Sequence, residues 1–552
     1  MSGTDPEKDG PWTPIFYDSD QTLAQALFLS GEVSPPVLCS GLARCGRCRV
    51  RILTGPKALP PLPDEEDLFS AEELAMGLRL ACRRKPWPGL RLELAPESAP
   101  DRSRGPGLGK ALPPAPARPL DSPEPYADPD EPLDEQAPVL ALDFGTTSLQ
   151  WQLADSRGRA LAAGSRINPQ MGAGSDVIAR IAAAGSPAGL QRLYALSLVA
   201  MQEIAAKLPL RPVRICLAAN PAMSAIALGL SPSGLACAPY SLPEKGGRWF
   251  ALPHLPPLWL PPQLSPFVGG DISAGYSALS AQQEDKAPAP PWLLADLGTN
   301  CEFLLVLGPE RCLAASSPMG PALEGAGLTR GSEARPGTAA DFRPAPKGLE
   351  TGVLDDKGRL LFYAPMAVPA LAGITGTGAL SLLHLLRQCG LMDLQGRFVS
   401  SSGSLMAGSL GLIRNKRGEE ELSLPGGLSL CAGDVEELLK VKAAFSLALS
   451  RLLREADLQA RELTAVYLAG ALGGHLRKEV LNSLGFLPPG LEGRAFAVGN
   501  AALRGALLLG SSIKERKRLM DWSSTVRALD LAADPSFSAD YLRHMSFAWG
   551  CD

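Results

Sequence analysis

The chain has 552 residues, enough for about three or four cores at roughly 150 residues each. Hydrophobic residues make up 45% and charged residues 20%, ordinary globular values, and 53 Lys and Arg against 57 Asp and Glu leave a net charge of -4. That balance supplies no basic field for DNA or RNA, and eleven cysteines, an odd and sparse set, speak against a secreted disulfide framework and for a reducing cytoplasm.

In chain order, Pro14 to Tyr17 reads as a strand, Thr22 to Ser30 as a short helix, Arg49 to Leu53 as an alternating strand and Leu90 to Leu94 as another. Ser70 and Glu73 stand in capping-box spacing before a helix over Ala71 to Gly77. Residues 1–98 are thus expected to form a compact α+β domain. Cys39, Cys45 and Cys48 share one of its loops and Cys82 lies far downstream, close to the plant-type [2Fe-2S] pattern of three near thiolates and one distant one. Gly41 and Gly46 permit tight wrapping, so that main-chain N–H groups can point at cluster sulfurs. A structural zinc site also takes four thiolates, but zinc ribbons usually carry two C-x2-C knuckles and only Cys45 and Cys48 form one. Arg44, Arg47, Arg49, Arg83 and Arg84 crowd these loops, either favouring a reduced cluster or as solvated surface.

Residues 99–138 hold eleven prolines among Ala, Gly, Asp and Glu and read as a semi-rigid linker. Gly105 to Lys110 within it lacks the spacing and the Ser/Thr of a Walker A loop. Beyond the linker the chain repeats itself: Val139 to Leu153, with Asp143, Gly145, Thr146 and Thr147, matches Leu293 to Leu307, with Asp296, Gly298, Thr299 and Asn300. Two similar α/β halves are expected, 139–290 and 291–552. Leu360 to Leu386 carries no formal charge, but its Pro and Gly residues favour a strand, a glycine turn and a buried helix over a membrane span. Asp434 to Arg454 reads as a helix with Asp434 and Glu437 in cap spacing.

A strand ending in Asp that turns through Gly-Thr-Thr into a second strand suits phosphate. Gly145 lets main-chain N–H groups approach oxygens, the threonines add hydroxyls, and Asp143 can hold a hydrated Mg2+. Two such loops can clamp a nucleotide between them. A third element, Ala465 to Gly470 running into Gly473 and Gly474, suits close approach to an adenosine or phosphate.

These three loops resemble those of the acetokinase, sugar kinase, Hsp70 and actin superfamily, which implies ATP as ligand. Together with Asn168-Pro169-Gln170, Asp176 to Arg180, Phe267 to Asp271, Asp296 to Glu302, Gly320 to Glu324 and Gly376-Thr377-Gly378, almost the whole chain resembles the reductive activators of corrinoid proteins. The resemblance implies a β-grasp ferredoxin-like domain, a Pro-rich linker and a duplicated α/β actin-like ATPase domain. It implies an enzyme with a [2Fe-2S] cluster, ATP and Mg2+ that returns Co(II) to Co(I) for methyl transfer. Its partners would be a corrinoid protein of a methyltransferase system and a low-potential electron donor, with no nucleic acid and no membrane, and a homodimer left open.

By that resemblance Cys39, Cys45, Cys48 and Cys82 hold the cluster, and Asp143 and Asp296 position Mg2+ and water. Gly145, Thr146, Thr147, Gly298, Thr299 and Asn300 bind phosphates. Gly376, Thr377, Gly378, Lys442, Gly470, Gly473 and Gly474 are further nucleotide candidates, while Glu302, Glu324 and Asp271 are candidates to orient the attacking water. Thr377 is also a candidate to face the cobalt, against its plainer reading as a glycine-turn hydroxyl. The rivals are a small-molecule kinase of the same superfamily with a redox domain and an ATP-independent electron carrier.

Overall fold

The computed structural model describes residues 21–29, 41, 43, 46, 48–54, 59–94, 133–281, 289–325, 327–346, 348–399, 410–415, 418–470 and 477–550. The strand expected at Pro14 to Tyr17, Arg44, Arg47, Cys39, Cys45, Gly473, Gly474 and most of the Pro-rich segment lie outside these residues.

In the N-terminal region the strand Arg49–Ile52 pairs antiparallel with Leu78–Leu80 on one side and Leu92–Leu94 on the other. Its inward side chains, Val50 and Ile52, meet Leu23, Ala24 and Leu27 of the helix Leu23–Leu29, and Cys48 and Cys82 join the same core. The expected capping box is present: Ser70 Oγ accepts from Glu73 N at 3.2 Å and Glu73 Oε2 accepts from Ser70 N at 2.8 Å. Three arginines near the cysteines are paired with carboxylates. Arg83 faces Asp64 at 3.0 Å, Arg49 faces Glu73 at 3.4 Å, and Arg84 binds the fully buried Glu65. Each of these arginines thus has a carboxylate close by, buried for Arg84 and partly exposed for Arg49 and Arg83.

The larger part holds two six-stranded sheets built on one plan. In the first, the order is Ala160–Ile167, Ser148–Asp155, Pro138–Phe144, Arg214–Ala218, Leu258–Leu260, Arg248–Phe250. The second runs Ala495–Gly499, Ala465–Ala469, Trp292–Leu297, Asn300–Gly308, Arg311–Pro318, Val526–Ala528. Each has an antiparallel three-strand meander whose first strand also pairs parallel with a later strand. Those first strands are continuous apolar runs because both of their faces are covered. Leu140, Leu142 and Phe144 pack outward against the helix Pro187–Lys207, whereas Ala141 faces the centre. Leu293, Ala295 and Leu297 face the core of the second sheet, and Trp292 and Leu294 face the same centre as Ala141.

The centre is filled by two helices, Gly270–Ser280 and Ala501–Ser511, that cross at small residues. A Cβ on Gly505 would stand 1.8 Å from the main-chain oxygen of Ala274, so only glycine permits this approach. Smaller sheets (Thr338–Ala345, Gly348–Leu354, Leu360–Tyr363 and Gly373–Ile374; Gly411–Arg414, Glu420–Leu424 and Leu428–Cys431) accompany the second six-stranded sheet.

The segment read as a strand, turn and helix is the strand Leu360–Tyr363 followed by the helix Gly376–Gln388, with Thr375 as its N-cap. No helix among the described residues is long and apolar enough to cross a membrane. One expectation changes in detail. The helix Ala432–Ala456 starts before Asp434, which is its third residue; the Asp434 carboxylate accepts from Cys431 N at 3.1 Å and from Thr329 N at 2.7 Å. Gly505→Val is expected to lower stability by at least about 1–3 kcal/mol through overpacking against main chain, measured as a drop in the thermal unfolding midpoint.

Candidate functional site

The hairpin between Pro138–Phe144 and Ser148–Asp155 sets Asp143 opposite Gln150. Its counterpart between Trp292–Leu297 and Asn300–Gly308 sets Asp296 opposite Glu302. The two turns face one another: Thr147 Oγ1 and Thr299 Oγ1 are 3.3 Å apart although 152 positions separate them in sequence. Glu324, at the end of the short turn Pro321–Glu324, joins both, accepting from Thr299 Oγ1 at 2.9 Å and from Thr147 Oγ1. Thr147, Thr299 and Glu324, all singled out in the sequence, therefore share one spot.

Four carboxylates gather beneath the turns. Burial pushes Asp143 up to about 7, despite a hydrogen bond from Asn500 that opposes the shift, and Asp271 adds to the rise. Burial likewise raises Asp296 to about 8, helped by the negative charges of Asp271 and Asp143. Asp271 itself is raised to about 6, and Glu302 well above its ordinary value by burial and by Asp271 and Asp296. Asn300 opposes that last shift through a hydrogen bond to Glu302. Burial also raises Glu324, against the hydroxyls of Thr147 and Thr299. Like charges in one desolvated place repel and hold protons, a state that a cation reverses. Among the described residues no three His, Cys, Asp or Glu side chains form a complete metal-holding group. Mg2+ does not require one, since it usually keeps several waters and takes one or two carboxylates plus phosphate oxygens.

Several residues that build this site escaped the sequence reading or carried no role in it. Asn500, N-cap of Ala501–Ser511, donates from Nδ2 to Asp143 Oδ2 at 2.6 Å and to Gln150 Oε1 at 3.2 Å. Asn168 clasps the first turn, donating from Nδ2 to Gly145 O at 2.8 Å and from its main chain to Thr147 O at 2.8 Å. Arg180, fully buried, donates to Thr146 O at 3.2 Å, and Asn220 donates to Thr146 Oγ1 at 3.3 Å. A cap signal could have found Asn500, which follows the strand Ala495–Gly499 and opens the apolar helix Ala501–Ser511.

The remaining candidates divide between the border of the site and the packing around it. Lys442 is fully buried, with Nζ donating to His544 O at 3.2 Å and to Ala548 O, so it anchors the C-terminal segment rather than lining an adenosine pocket. Gly376 and Gly378 start the helix Gly376–Gln388 where main chains touch, a Cβ on Gly376 standing 1.9 Å from Leu323 O. Thr377 Oγ1 lies 2.9 Å from Thr375 Oγ1 in that first turn. Gly470 ends the strand Ala465–Ala469 against Leu297 and Asp296. In the N-terminal region Cys48 and Cys82 are both buried, and Ala81 N donates to Cys48 O at 2.8 Å, which brings the two cysteine-bearing stretches together.

Residues 139–284 match the model of the RACo middle region, and residues 291–550 match that of the C-terminal domain of RACo, the ASKHA domain. The chain belongs to the RACo family. This RACo-family chain is 27% identical over 442 residues to the corrinoid activation enzyme RamQ of Eubacterium limosum, covering 75% of this chain and 71% of RamQ. It is 28% identical over 297 residues to the Co(II) methylated amine-specific corrinoid protein reductase of Methanosarcina barkeri, 51% of either chain. A solved reductive activator for a corrinoid, iron-sulfur protein shares the fold, with TM-score 0.63, 20% identity and 96% of each chain covered.

The raised carboxylates give the RACo-family site a definite pH response. A cation held by Asp143 and Asp296 would require both ionised, and affinity for Mg2+ with ATP would then rise as pH climbs through about 7 and about 8. Titration calorimetry across that range tests this. Asn500→Ala removes a hydrogen bond that favours ionised Asp143 and should move the lower midpoint upward by about one pH unit. Between the ordinary carboxylate value of 3.8 and about 8 the nucleotide-free fold binds more protons than the unfolded chain, so its stability should fall as pH rises across that range and recover with the bound cation.

Proposed function

We propose that this chain is an ATP-hydrolysing activator that delivers one electron to the Co(II) of a corrinoid protein, giving Co(I) for methyl transfer. The observation that carries the reading is the pair of facing hairpins, one in the stretch matched to the RACo middle region and one in the stretch matched to the ASKHA domain, with Thr147 and Thr299 in contact and both bound to Glu324, above a set of carboxylates from both stretches. The names of the two curated relatives, a corrinoid activation enzyme and a Co(II) corrinoid protein reductase, supply the substrate class.

In this reading Thr146, Thr147, Thr299 and Asn300, with Gly145 and Gly298, hold the phosphates, and Asp143 and Asp296 hold the hydrated Mg2+. Asp271 and Glu302 adjust the charge of that floor, and the glycine turn after Ala469 receives the adenosine. Glu324 and a phosphate oxygen compete for the same two hydroxyls. Nucleotide entry therefore releases the Glu324 carboxylate, which then orients water for attack on the terminal phosphate. Hydrolysis consumes one water and yields ADP and phosphate.

Cys39, Cys45, Cys48 and Cys82 would hold a [2Fe-2S] cluster, which supplies a single low-potential electron. Burial of Cys48 and Cys82 in one core, with their main chains hydrogen-bonded through Ala81, fits that role. A β-grasp ferredoxin-like domain over 1–98, a linker over 99–138 and ATPase halves over 139–290 and 291–552 complete the scheme. In each turnover Co(II) would gain one electron to become Co(I), and the N-terminal module would lose that electron, which an external low-potential donor restores. Plant-type clusters lie near about -400 mV, so ATP is assigned the task of making the transfer favourable by closing the lobes and docking the partner.

The test is anaerobic: Ti(III)-reduced chain and a Co(II) corrinoid protein, with and without MgATP, followed by the Co(I) absorbance. Co(I) should form only with MgATP. Equal Co(I) without ATP would favour a plain electron carrier, and a phosphorylated small molecule would favour a kinase. Glu324→Gln should still bind ATP while its hydrolysis falls about 10²–10⁴-fold.

A further inference from the structure

We propose that the helix Leu23–Leu29 is the element through which the Gly145–Thr147 turn and the cysteine-bearing module sense one another, with Arg180 and Gln170 as the positioning residues between them. The inference deepens the reading above and rests on that turn being a nucleotide phosphate loop.

The helix has two partners. Leu23, Ala24 and Leu27 belong to the core that contains Cys48 and Cys82, and Leu23 N donates to Arg84 O at 2.7 Å, two residues beyond Cys82. On its other side, Phe28 is buried in the core of the first six-stranded sheet together with Leu193, Tyr194 and Met201. The Arg192 guanidinium lies 5.9 Å from the centre of its ring.

From that seat a continuous set of bonds leads to the turn. Gln170 Nε2 donates to Leu193 O at 3.2 Å and to Ser197 Oγ at 2.7 Å, both on the helix Pro187–Lys207 that carries the Phe28 seat. Gln170 Oε1 accepts from Arg180 Nη1 at 2.8 Å. Arg180 then reaches Gly174 O at 2.7 Å through Nε and Thr146 O at 3.2 Å through Nη2. Arg180 and Gln170 are both fully buried, and these oxygen acceptors are carbonyls and an amide rather than carboxylates. Burial lowers the Arg180 guanidinium to about 9, against the pull of Asp176.

A buried ionised group cannot release one of these acceptors without bearing its desolvation cost, and a close-packed interior leaves no slack to absorb a shift. When Thr146 and Thr147 move to grip a phosphate, Arg180 has to follow Thr146 O. Gln170 is held at one end by Arg180 and at the other by the helix that seats Phe28. Occupation of the turn is thereby felt at the helix Leu23–Leu29, one side of which borders the cysteines.

The experiment uses the full chain with Mg2+ and a non-hydrolysable ATP analogue. Binding is measured by calorimetry, and hydrogen exchange is followed over 21–29 and 187–207. The parent should bind the analogue, and amide exchange over 21–29 should change by about fivefold or more. Phe28→Ala should bind the analogue as the parent does, with unchanged visible absorbance of the module, yet lose the exchange response at 21–29. Gln170→Ala should weaken that response from the opposite end. Analogue binding without any exchange change at 21–29, or a full response in Phe28→Ala, would overturn this inference and leave the ATP reading standing. Absence of analogue binding would overturn both.

Discussion

The larger part of the chain is arranged around a cluster of buried carboxylates that no basic side chain among the described residues neutralises. Asp143, Asp271, Asp296 and Glu302 come from two sheets and a central helix; Asp271 raises the proton affinity of the other three, Asp143 that of Asp296, and Asp296 that of Glu302. Charges of one sign in one desolvated place are tolerated only by protonation or by a bound cation. The cost of assembling them is accepted because it creates a site whose stable partner is a metal ion carrying phosphate. The side-chain donors on the cluster are neutral amides, Asn500 on Asp143 and Asn300 on Glu302, while the Thr147 and Thr299 hydroxyls donate to Glu324 beside it. They orient the carboxylates without cancelling them.

Holding such a floor in register demands a stiff frame. Two sheets of the same plan present equivalent hairpins, and the central helices Gly270–Ser280 and Ala501–Ser511 each bring a polar N-terminal residue to the carboxylates. The small residues at the helix crossing do more than fill space. Close contact at Gly505 lets both sheets approach until Thr147 touches Thr299. Glu324 enters from outside this frame, from a short turn packed on the first residue of the helix Gly376–Gln388. The glycines there serve main-chain contact, and they place the carboxylate between the two hydroxyls.

The N-terminal region solves a different problem. It has a small core and seats a buried Glu65 against Arg84, close to Cys82. A buried ion pair contributes little net stability, but its directional bonds fix the backbone near the cysteines. Leu80 N and Leu62 N also donate to Glu65 at 2.9 Å, which ties a strand and a helix start to one carboxylate. The helix Leu23–Leu29 then joins this core to the first sheet, so the module is not merely tethered by the Pro-rich segment.

What the sequence by itself determined was local. Asp-x-Gly-Thr at a strand end, repeated 153 positions later, announces two phosphate-type turns because turn chemistry depends only on neighbouring residues. The Ser70 and Glu73 box, the strand over Arg49 to Ile52 and the helix after Thr375 were legible for the same reason. What only the tertiary structure decided was which side chains from distant stretches share a space. Lys442 sits on an apolar helix like many ligand-lining lysines, and nothing local reveals that the carbonyls of His544 and Ala548 take its ammonium. Asn500 reads as an ordinary helix cap until the central helices bring its free amide end to Asp143. Gly376-Thr377-Gly378 has the composition of a ligand loop, and its close packing on Leu323 appears only when the two main chains meet. Periodicity and capping are written within a few residues, whereas the contacts that give a polar group its partner depend on how the sheets and helices close on one another.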